Sequence, residues 1–409
     1  MKIAAFIDWL QPRARLFRVQ ISGKVCVIWS WGVLILLSAG LWSCDTHAGE
    51  ERPNWIGGAD LRAGYFTGKR MERDGGERSE SDLRTRLRAW LQGEIDHDWR
   101  FRARLAGSFS SDGNKAGLKL DRYRATPTGT LPGEVHLDEF YLHRARVDSV
   151  HDLRSGRFQT GFNLPIVPGK SLDRNDSSNV GIGWTDGFHL RSRVSERWST
   201  HLIGQINQRK GAGNTVRAPL DFERRSSRIG TWFAVEAIDN PGPMIMRLFS
   251  INWVPDGLAA EGTAGDHRDD YLTATAKTAA AWPLGRRAMR LVLAGEVGHA
   301  FNRPERSVVG LPGQGQVAGN GFQASANLYD MRPGHHIGMV YGRAQGGWLT
   351  SNDYRSNDEL FEIRYQRRFA PNLSMEIRYR WRRELEQRIG ADRLQLDEDV
   401  YVRLSWRSR

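Results

Sequence analysis

Polar and apolar residues alternate at period two through much of this chain. Leu83, Thr85, Leu87, Ala89, Leu91, Gly93 and Ile95 share one face, and Asp82, Arg84, Arg86, Arg88, Trp90, Gln92 and Glu94 share the other. Such a repeat puts successive side chains on opposite sides of a strand and does not fit a helix. After Asp96-His97-Asp98 it resumes, with Trp99, Phe101, Ala103, Leu105, Gly107 and Phe109 on one side and Arg100, Arg102, Arg104, Ala106 and Ser108 on the other. The Asp-His-Asp break reads as a hairpin turn. Closed there, the hairpin sets Glu94 opposite Arg100, Gln92 opposite Arg102 and Trp90 opposite Arg104, and the apolar residues pair among themselves. Globular strands usually run to ~5–6 residues, whereas a tilted membrane-spanning strand needs about 9–11, the range these two reach or exceed.

The same unit recurs down the chain. The pattern predicts strands near 55–67, 82–95, 99–110, 135–147, 151–162, 187–195, 198–208, 227–239, 243–255, 270–283, 287–301, 321–331, 335–348, 358–369, 373–384 and 399–407. Short connections rich in Pro, Gly, Asn or Asp (Asp148-Ser149-Val150, Asn240-Pro241-Gly242, Leu284-Gly285-Arg286, Arg332-Pro333-Gly334, Ala370-Pro371-Asn372) alternate with long polar ones. Tight turns on one side and long loops on the other are the layout of an outer-membrane barrel. The expected fold is therefore all-β, a transmembrane antiparallel β-barrel of about sixteen strands. The final stretch, with Val400, Val402, Leu404 and Trp406 on one face, resembles the aromatic-ended last strand read by the barrel-insertion machinery.

Composition fits this reading. Mean hydropathy is −0.53 and the formal net charge is +12. Arg13, Arg15, Arg18 and Lys24 precede the apolar run Val25–Trp42, followed by Thr46-His47-Ala48, which reads as a secretory signal over 1–48 and a barrel over 49–409. An uncleaved anchor helix is the alternative. Cleavage after Ala48 removes Cys26 and Cys44 and leaves 54 basic and 45 acidic side chains, a net +9. Disulfide stabilisation is then excluded. The predicted location is the outer membrane of a Gram-negative cell, with its lipid and lipopolysaccharide as partners.

In a membrane barrel the apolar set faces lipid, where an arginine costs about 2–4 kcal/mol at the midplane. Arg84, Arg86, Arg88, Arg100, Arg102 and Arg104 are therefore expected to line the lumen. The same alternation puts Arg191 and Arg193 (with His189), Arg364, and Arg378, Arg380 and Arg382 inside. Sixteen strands leave a water-filled channel, and guanidinium rows there would concentrate anions such as carboxylates and phosphates. The competing expectation is a neutralised polar wall, with the arginines paired to Glu94, Glu362 and Glu376. The loop 163–186 carries Pro165, Pro168, Ile166, Val167 and several glycines, and is expected to fold inward and narrow the pore. Lys170 and Arg174 would face the arginine rows there, with Asp173 and Asp176 opposing them.

"HLDEFYLHRARV", "LRSGRFQTGFNLP" and "DGFHLRSRVSERWSTHLIGQ" lie within 135–207. They resemble the phosphate-selective porin group, through Gly156, Arg157, Phe158, Gln159, Gly161 and Phe162. The resemblance implies a sixteen-stranded, trimeric, anion-favouring channel. Phosphate selectivity does not follow, since lysine is scarce throughout. The function expected is passive diffusion of small anionic solutes, with no cofactor, no metal, no nucleic-acid partner and no catalysis. A structural, adhesive or plugged barrel and an outer-membrane hydrolase are the alternatives, and no nucleophile motif supports the last. Asp266, His267, Asp269 and Asp270 read as a solvated loop, and Gly310–Gly321 as a flexible one without the features of a phosphate cradle.

Overall fold

The computed structural model describes residues 55–110, 117–118, 134–145, 150–175, 184–207, 218–259, 268–285 and 288–408. The predicted signal over 1–48 and the first residues of the predicted barrel, 49–54, lie outside them. Sixteen long strands follow in chain order: β1 (Trp55–Met71), β2 (Glu77–Glu94), β3 (Trp99–Ser110), β4 (Glu134–Ala145), β5 (His151–Phe158), β6 (Thr185–Arg193), β7 (Trp198–Ile206) and β8 (Ile229–Ala237). The second half comprises β9 (Met244–Leu258), β10 (Asp269–Pro283), β11 (Arg290–Ala300), β12 (Asn320–Arg332), β13 (His335–Ala344), β14 (Asp358–Ala370), β15 (Leu373–Glu384) and β16 (Leu396–Arg407). Each pairs antiparallel with its sequence neighbours, and β1 pairs with β16. The sheet thus closes on itself as a transmembrane barrel and leaves no free edge. Gly117–Leu118 adds a two-residue parallel contact to Glu134–Val135. Among the described residues no helix is long and apolar enough to cross a membrane, and barrels cross with strands instead.

The β2–β3 hairpin has the register its alternation dictates: Glu94 opposite Arg100, Gln92 opposite Arg102 and Trp90 opposite Arg104. Its turn is held by Asp96, whose carboxylate accepts the backbone N–H of Asp98 and Trp99, both at 2.8 Å. At the turns after β8 and β12, Gly242 (φ 61°) and Gly334 (φ 75°) occupy left-handed conformations that only glycine adopts without strain.

Several strands depart from the predicted bounds. β1 and β2 reach Met71 and Glu77, well past the expected 67 and 82. Their added residues, Lys69, Arg70, Glu77, Arg78 and Glu80, are polar on both faces because this ribbon extends beyond the apolar band. β5 ends at Phe158 instead of 162, because Phe158 and Phe162 are both buried in one interior cluster and the chain leaves the sheet between them. Of the short connections, Asp148-Ser149 and Arg286 lie outside the described residues.

Exposure separates the two faces. Leu87, Leu91 and Leu105 are 40, 45 and 47 % exposed on the outer surface, whereas Arg86, Arg88 and Arg104 are 6, 7 and 8 % exposed. The interior also holds an apolar cluster in which Leu164, Ile166 and Leu172 meet Tyr271, Val340, Trp348 and Tyr354.

Candidate functional site

Two interior surfaces face each other: arginine-bearing strands and segments of irregular chain. The rows on β2, β3, β14, β15 and β16 arise because a strand buried among water and protein on one face, and lipid on the other, tolerates charge on one side alone. Nearly every guanidinium meets a carboxylate. Arg84 bonds Asp82 at 2.8 Å and Arg86 lies 3.3 Å from Asp60. Asp138, wholly buried at the bulge between β3 and β4, receives Arg104 at 2.9 Å and Arg88 at 3.3 Å. Arg102 bonds Glu139 at 2.6 Å, and Arg100, nearer the turn and more exposed, lies 3.5 Å from Glu94.

On the other row, Arg364 pairs with Glu362 and lies 3.3 Å from Glu376. Arg378 and Arg380 share Asp399 at 2.5 and 2.6 Å. Arg382 bonds the Asp353 carbonyl at 2.6 Å. Arg403, absent from the sequence expectation, bonds Glu376 at 2.9 Å. Register also sets like charges side by side, Arg62 opposite Arg86 and Arg364 opposite Arg378. A carboxylate cannot absorb five guanidinium donors. The buried Nε–H groups of Arg86, Arg378 and Arg403 have no acceptor among the described residues.

His189 stacks on His201 in hydrogen-bond contact (3.1 Å), and His201 reaches Glu236 at 2.9 Å. Arg191 and Arg193, on the same face as His189, are exposed. They belong to a separate arc of wall from the β2–β3 and β14–β15 rows.

The segment after β5 runs through the interior and is bolted to the wall residue by residue. Asn327 on β12 accepts the Val167 N–H at 2.9 Å. Lys170 Nζ lies 3.3 Å from both Asp353 and Glu362. Burial pushes this ammonium pKa down, and the two carboxylates oppose that shift. Glu296 on β11 accepts from Ser171 Oγ (3.2 Å) and the Leu172 N–H (3.0 Å). Asp173 Oδ2 accepts from Trp232 on β8 at 3.1 Å, Ser250 on β9 at 2.7 Å and Thr275 on β10 at 3.3 Å. Arg174 bonds Asn207 and lies over the Phe222 ring, and burial lowers its pKa.

This differs from the expected picture of Lys170 and Arg174 facing the arginine rows together across a gap. Lys170 meets the β14 row through Glu362, while Arg174 is buried at the opposite end of the segment. Asp173 opposes neither across open space, because three wall donors hold it. Asp176 lies outside the described residues.

A second inward segment, 345–357, was not anticipated. Trp348 and Tyr354 are wholly buried, Trp348 donates to the Leu172 carbonyl at 3.1 Å, and Asp353 accepts the Ser171 N–H at 3.1 Å. Its sequence, "QGGWLTSNDYRSN", carries a signal: two bulky aromatics and a leucine in a loop otherwise made of glycine and polar residues. Among the described residues no group of three or more His, Cys, Asp or Glu could hold a metal. Of the predicted solvated loop, Asp266 and His267 lie outside the described residues, and Asp270 accepts from Trp253 at 2.8 Å.

No family model and no curated relative matches this chain. Solved structures do. OprB of Pseudomonas putida superposes with a TM-score of 0.59 at 10 % identity, over 87 % of this chain and 94 % of that one. OccAB4 of Acinetobacter baumannii gives 0.52 at 7 % identity over 88 and 99 %, and OpdL of Pseudomonas aeruginosa 0.51 at 13 % identity over 87 and 99 %. These neighbours are outer-membrane porins, and at such identity the likeness shows the fold alone: this chain is a porin-like barrel.

Proposed function

We propose that this protein is an outer-membrane channel for passive diffusion of small anionic solutes along its arginine walls, and not a catalyst. The observation that carries the reading is the surplus of guanidinium donors over acceptors on the inward faces of β2, β15 and β16, at Arg86, Arg378 and Arg403. These N–H groups are themselves shut off from solvent, so what they offer a passing carboxylate or phosphate is the uncompensated positive field of the wall and not a direct hydrogen bond. The matched carboxylates hold the guanidiniums in place and keep the wall from becoming a trap, since a conducting site must also release its solute. Phosphate-specific selection is the narrower form of this proposal, motivated by the resemblance within 135–207. The barrel neighbours reported above are OprB and Occ proteins, which do not single it out. A plugged structural barrel is the second reading, favoured by the apolar cluster that both inward segments build inside the wall.

Single-channel recording in planar bilayers under a potassium chloride gradient decides between them. The channel reading expects discrete conductance and a reversal potential on the chloride side. Arg86→Gln with Arg403→Gln should shift that potential toward potassium. Absence of conductance supports the plug, and a potassium-side potential in the unaltered protein overturns the anion preference.

A further inference from the structure

We propose that the periplasmic mouth of this barrel holds a binding site for compact anions of two or more charges, seated on paired serine hydroxyls between arginines. It deepens the channel reading by giving anions a place of retention, and rests on that reading only for the block of current described below. The site begins as one row of wall. Arg368 on β14 stands opposite Ser374 on β15, Ser374 opposite Ser405 on β16, and Ser405 opposite Arg62 on β1. Leu373 and Leu404, next to the two serines, are exposed on the outer surface, so the row points inward. Three steps between strands at about 4.8 Å put the Cα atoms of Arg368 and Arg62 about 14 Å apart, with both hydroxyls between them. Arg403 stands one inward position deeper on β16, and Arg407 one nearer the mouth.

These six residues line one cavity of about 480 Å³. Both carboxylates in its lining are already engaged. Asp60 lies 3.3 Å from Arg86, and Glu376 meets Arg364 at 3.3 Å and Arg403 at 2.9 Å. Four arginines therefore face the space against two carboxylates that also serve arginines outside it. Among the described residues, the Ser374 and Ser405 hydroxyls and the Arg368 and Arg407 guanidiniums have no hydrogen bond or ion pair. Elsewhere on this wall nearly every guanidinium meets a carboxylate. Free cationic forks beside free hydroxyls are the donor set that an oxyanion takes.

Position in the barrel sets the side from which the ligand comes. The cavity reaches the Ala370-Pro371-Asn372 turn, and short turns mark the periplasmic end of such a barrel. His336 lines its deep side, and Gly338, the next inward residue of β13, lies against the inward segment: a side chain there would begin 2.8 Å from Val167 and 2.9 Å from Pro168. The inward segment is thus a roof, and an anion enters the recess from the periplasm without passing it. A cavity of this volume takes a small molecule. A singly charged ion meets one end of the row at a time. An anion with charge at both ends engages Arg368 and Arg62 together, with the hydroxyls between them. Phosphorylated and polycarboxylated small molecules share that chemistry.

The test is isothermal titration of the full-length protein in detergent with pyrophosphate, with citrate and with acetate. The proposal expects saturable binding of pyrophosphate or citrate, several-fold tighter than of acetate, and the tighter of the two assigns the site to phosphorylated or to carboxylated solutes. Arg368→Gln and Arg407→Gln should each weaken it about tenfold, the worth of one charge-assisted hydrogen bond. Ser374→Ala with Ser405→Ala should weaken it several-fold at unchanged charge. Arg197→Gln, which removes an exposed charge at the same end of the barrel outside the cavity, should leave it unaltered. Heat-modifiable mobility checks each barrel, and where a variant does not fold, the contrast with acetate in the unaltered protein still decides. No saturable binding, acetate bound as tightly, an Arg197→Gln loss equal to that of Arg368→Gln, or an unaffected double serine variant overturns the proposal. In planar bilayers the tighter ion should block chloride current from one side of the membrane only, and equal block from both sides overturns it as well. A protein that binds the ion but passes no current overturns the channel reading alone; one that conducts without saturable binding overturns this site alone.

Discussion

Asp173→Ala should unlatch the inward segment without unfolding the barrel. One carboxylate oxygen of Asp173 receives donors from three strands, Trp232 at 3.1 Å, Ser250 at 2.7 Å and Thr275 at 3.3 Å, and the other receives the Asn175 N–H at 3.1 Å. All of these groups are buried apart from water, so removing the acceptor leaves their donors unsatisfied. Each orphaned buried donor costs about 1–3 kcal/mol. Ser250 and Thr275 retain each other at 2.6 Å, which offsets part of the loss. Counting the indole N–H and the Asn175 amide alone gives about 2–6 kcal/mol. Arg174 beside it also loses its neighbouring negative charge in a buried site, an effect of the same sign. Since ~1.4 kcal/mol is a factor of ten, even ~3 kcal/mol moves the docked-to-undocked ratio by roughly a hundredfold.

The barrel itself should survive, because its hydrogen bonds run strand to strand and none passes through Asp173. The assay is single-channel recording beside limited proteolysis of intact vesicles. Asp173→Ala is expected to raise open-channel conductance and noise and to expose 163–175 to protease, with heat-modifiable mobility retained. Asp173→Asn, which keeps one acceptor oxygen of the two, should fall between. Unchanged conductance and protease resistance in the alanine variant would refute the latch.

Three other outcomes follow from the same geometry. Cysteines placed singly at Arg86, Arg88 and Arg104 should react with a membrane-impermeant thiol reagent and those at Leu87, Leu91 and Leu105 should not, and the reverse pattern would refute the assigned faces. Glu362→Gln removes the shared counter-charge of Lys170 and Arg364, both about 1 % exposed; breaking such a buried pair costs ~3–5 kcal/mol, read as a lower unfolding temperature on heated gels. Trp348→Ala opens the seam between the two inward segments and should cost ~3–5 kcal/mol of local docking, seen as protease sensitivity at both 163–175 and 345–357.

Membrane strands write their environment into the sequence directly, which is why so much of the sheet was legible. Lipid on one side and water or polar wall on the other impose period two, and a one-residue slip would put arginine into lipid. The alternation therefore carried the β2–β3 register, and that of β14–β15, where Arg380 stands opposite Glu362 and Arg378 opposite Arg364. Partners are another matter. Arg380 bonds Asp399, the residue opposite it on its other side in β16, and Glu362 turns to Arg364 and Lys170. Register fixes which Cα atoms are adjacent, but not which neighbour a long side chain chooses: the strand on either side, the next residue on its own face, or a segment packed inside the wall. The Asp138 and Glu139 acceptors were hidden further by a bulge, which puts two successive carboxylates against the same arginine row.

The inward segments were illegible for a related reason. Residues 163–175 and 345–357 have no sheet neighbour to impose a period, and their burial is satisfied by side chains scattered from the end of β7 to β15. Prolines and glycines could suggest that 163–186 bends inward, but nothing local specifies that Lys170 should find Asp353, 183 residues away. The two segments bond to each other as well as to the wall, through Ser171 with Asp353 and Leu172 with Trp348. Any solute path is therefore bounded on one side by arginines anchored within a regular sheet, and on the other by a polar seam whose halves depend on one another. Changes at the wall should tune which charge passes, and changes at the seam how wide the path is; the Arg86/Arg403 and Asp173 variants separate those two effects.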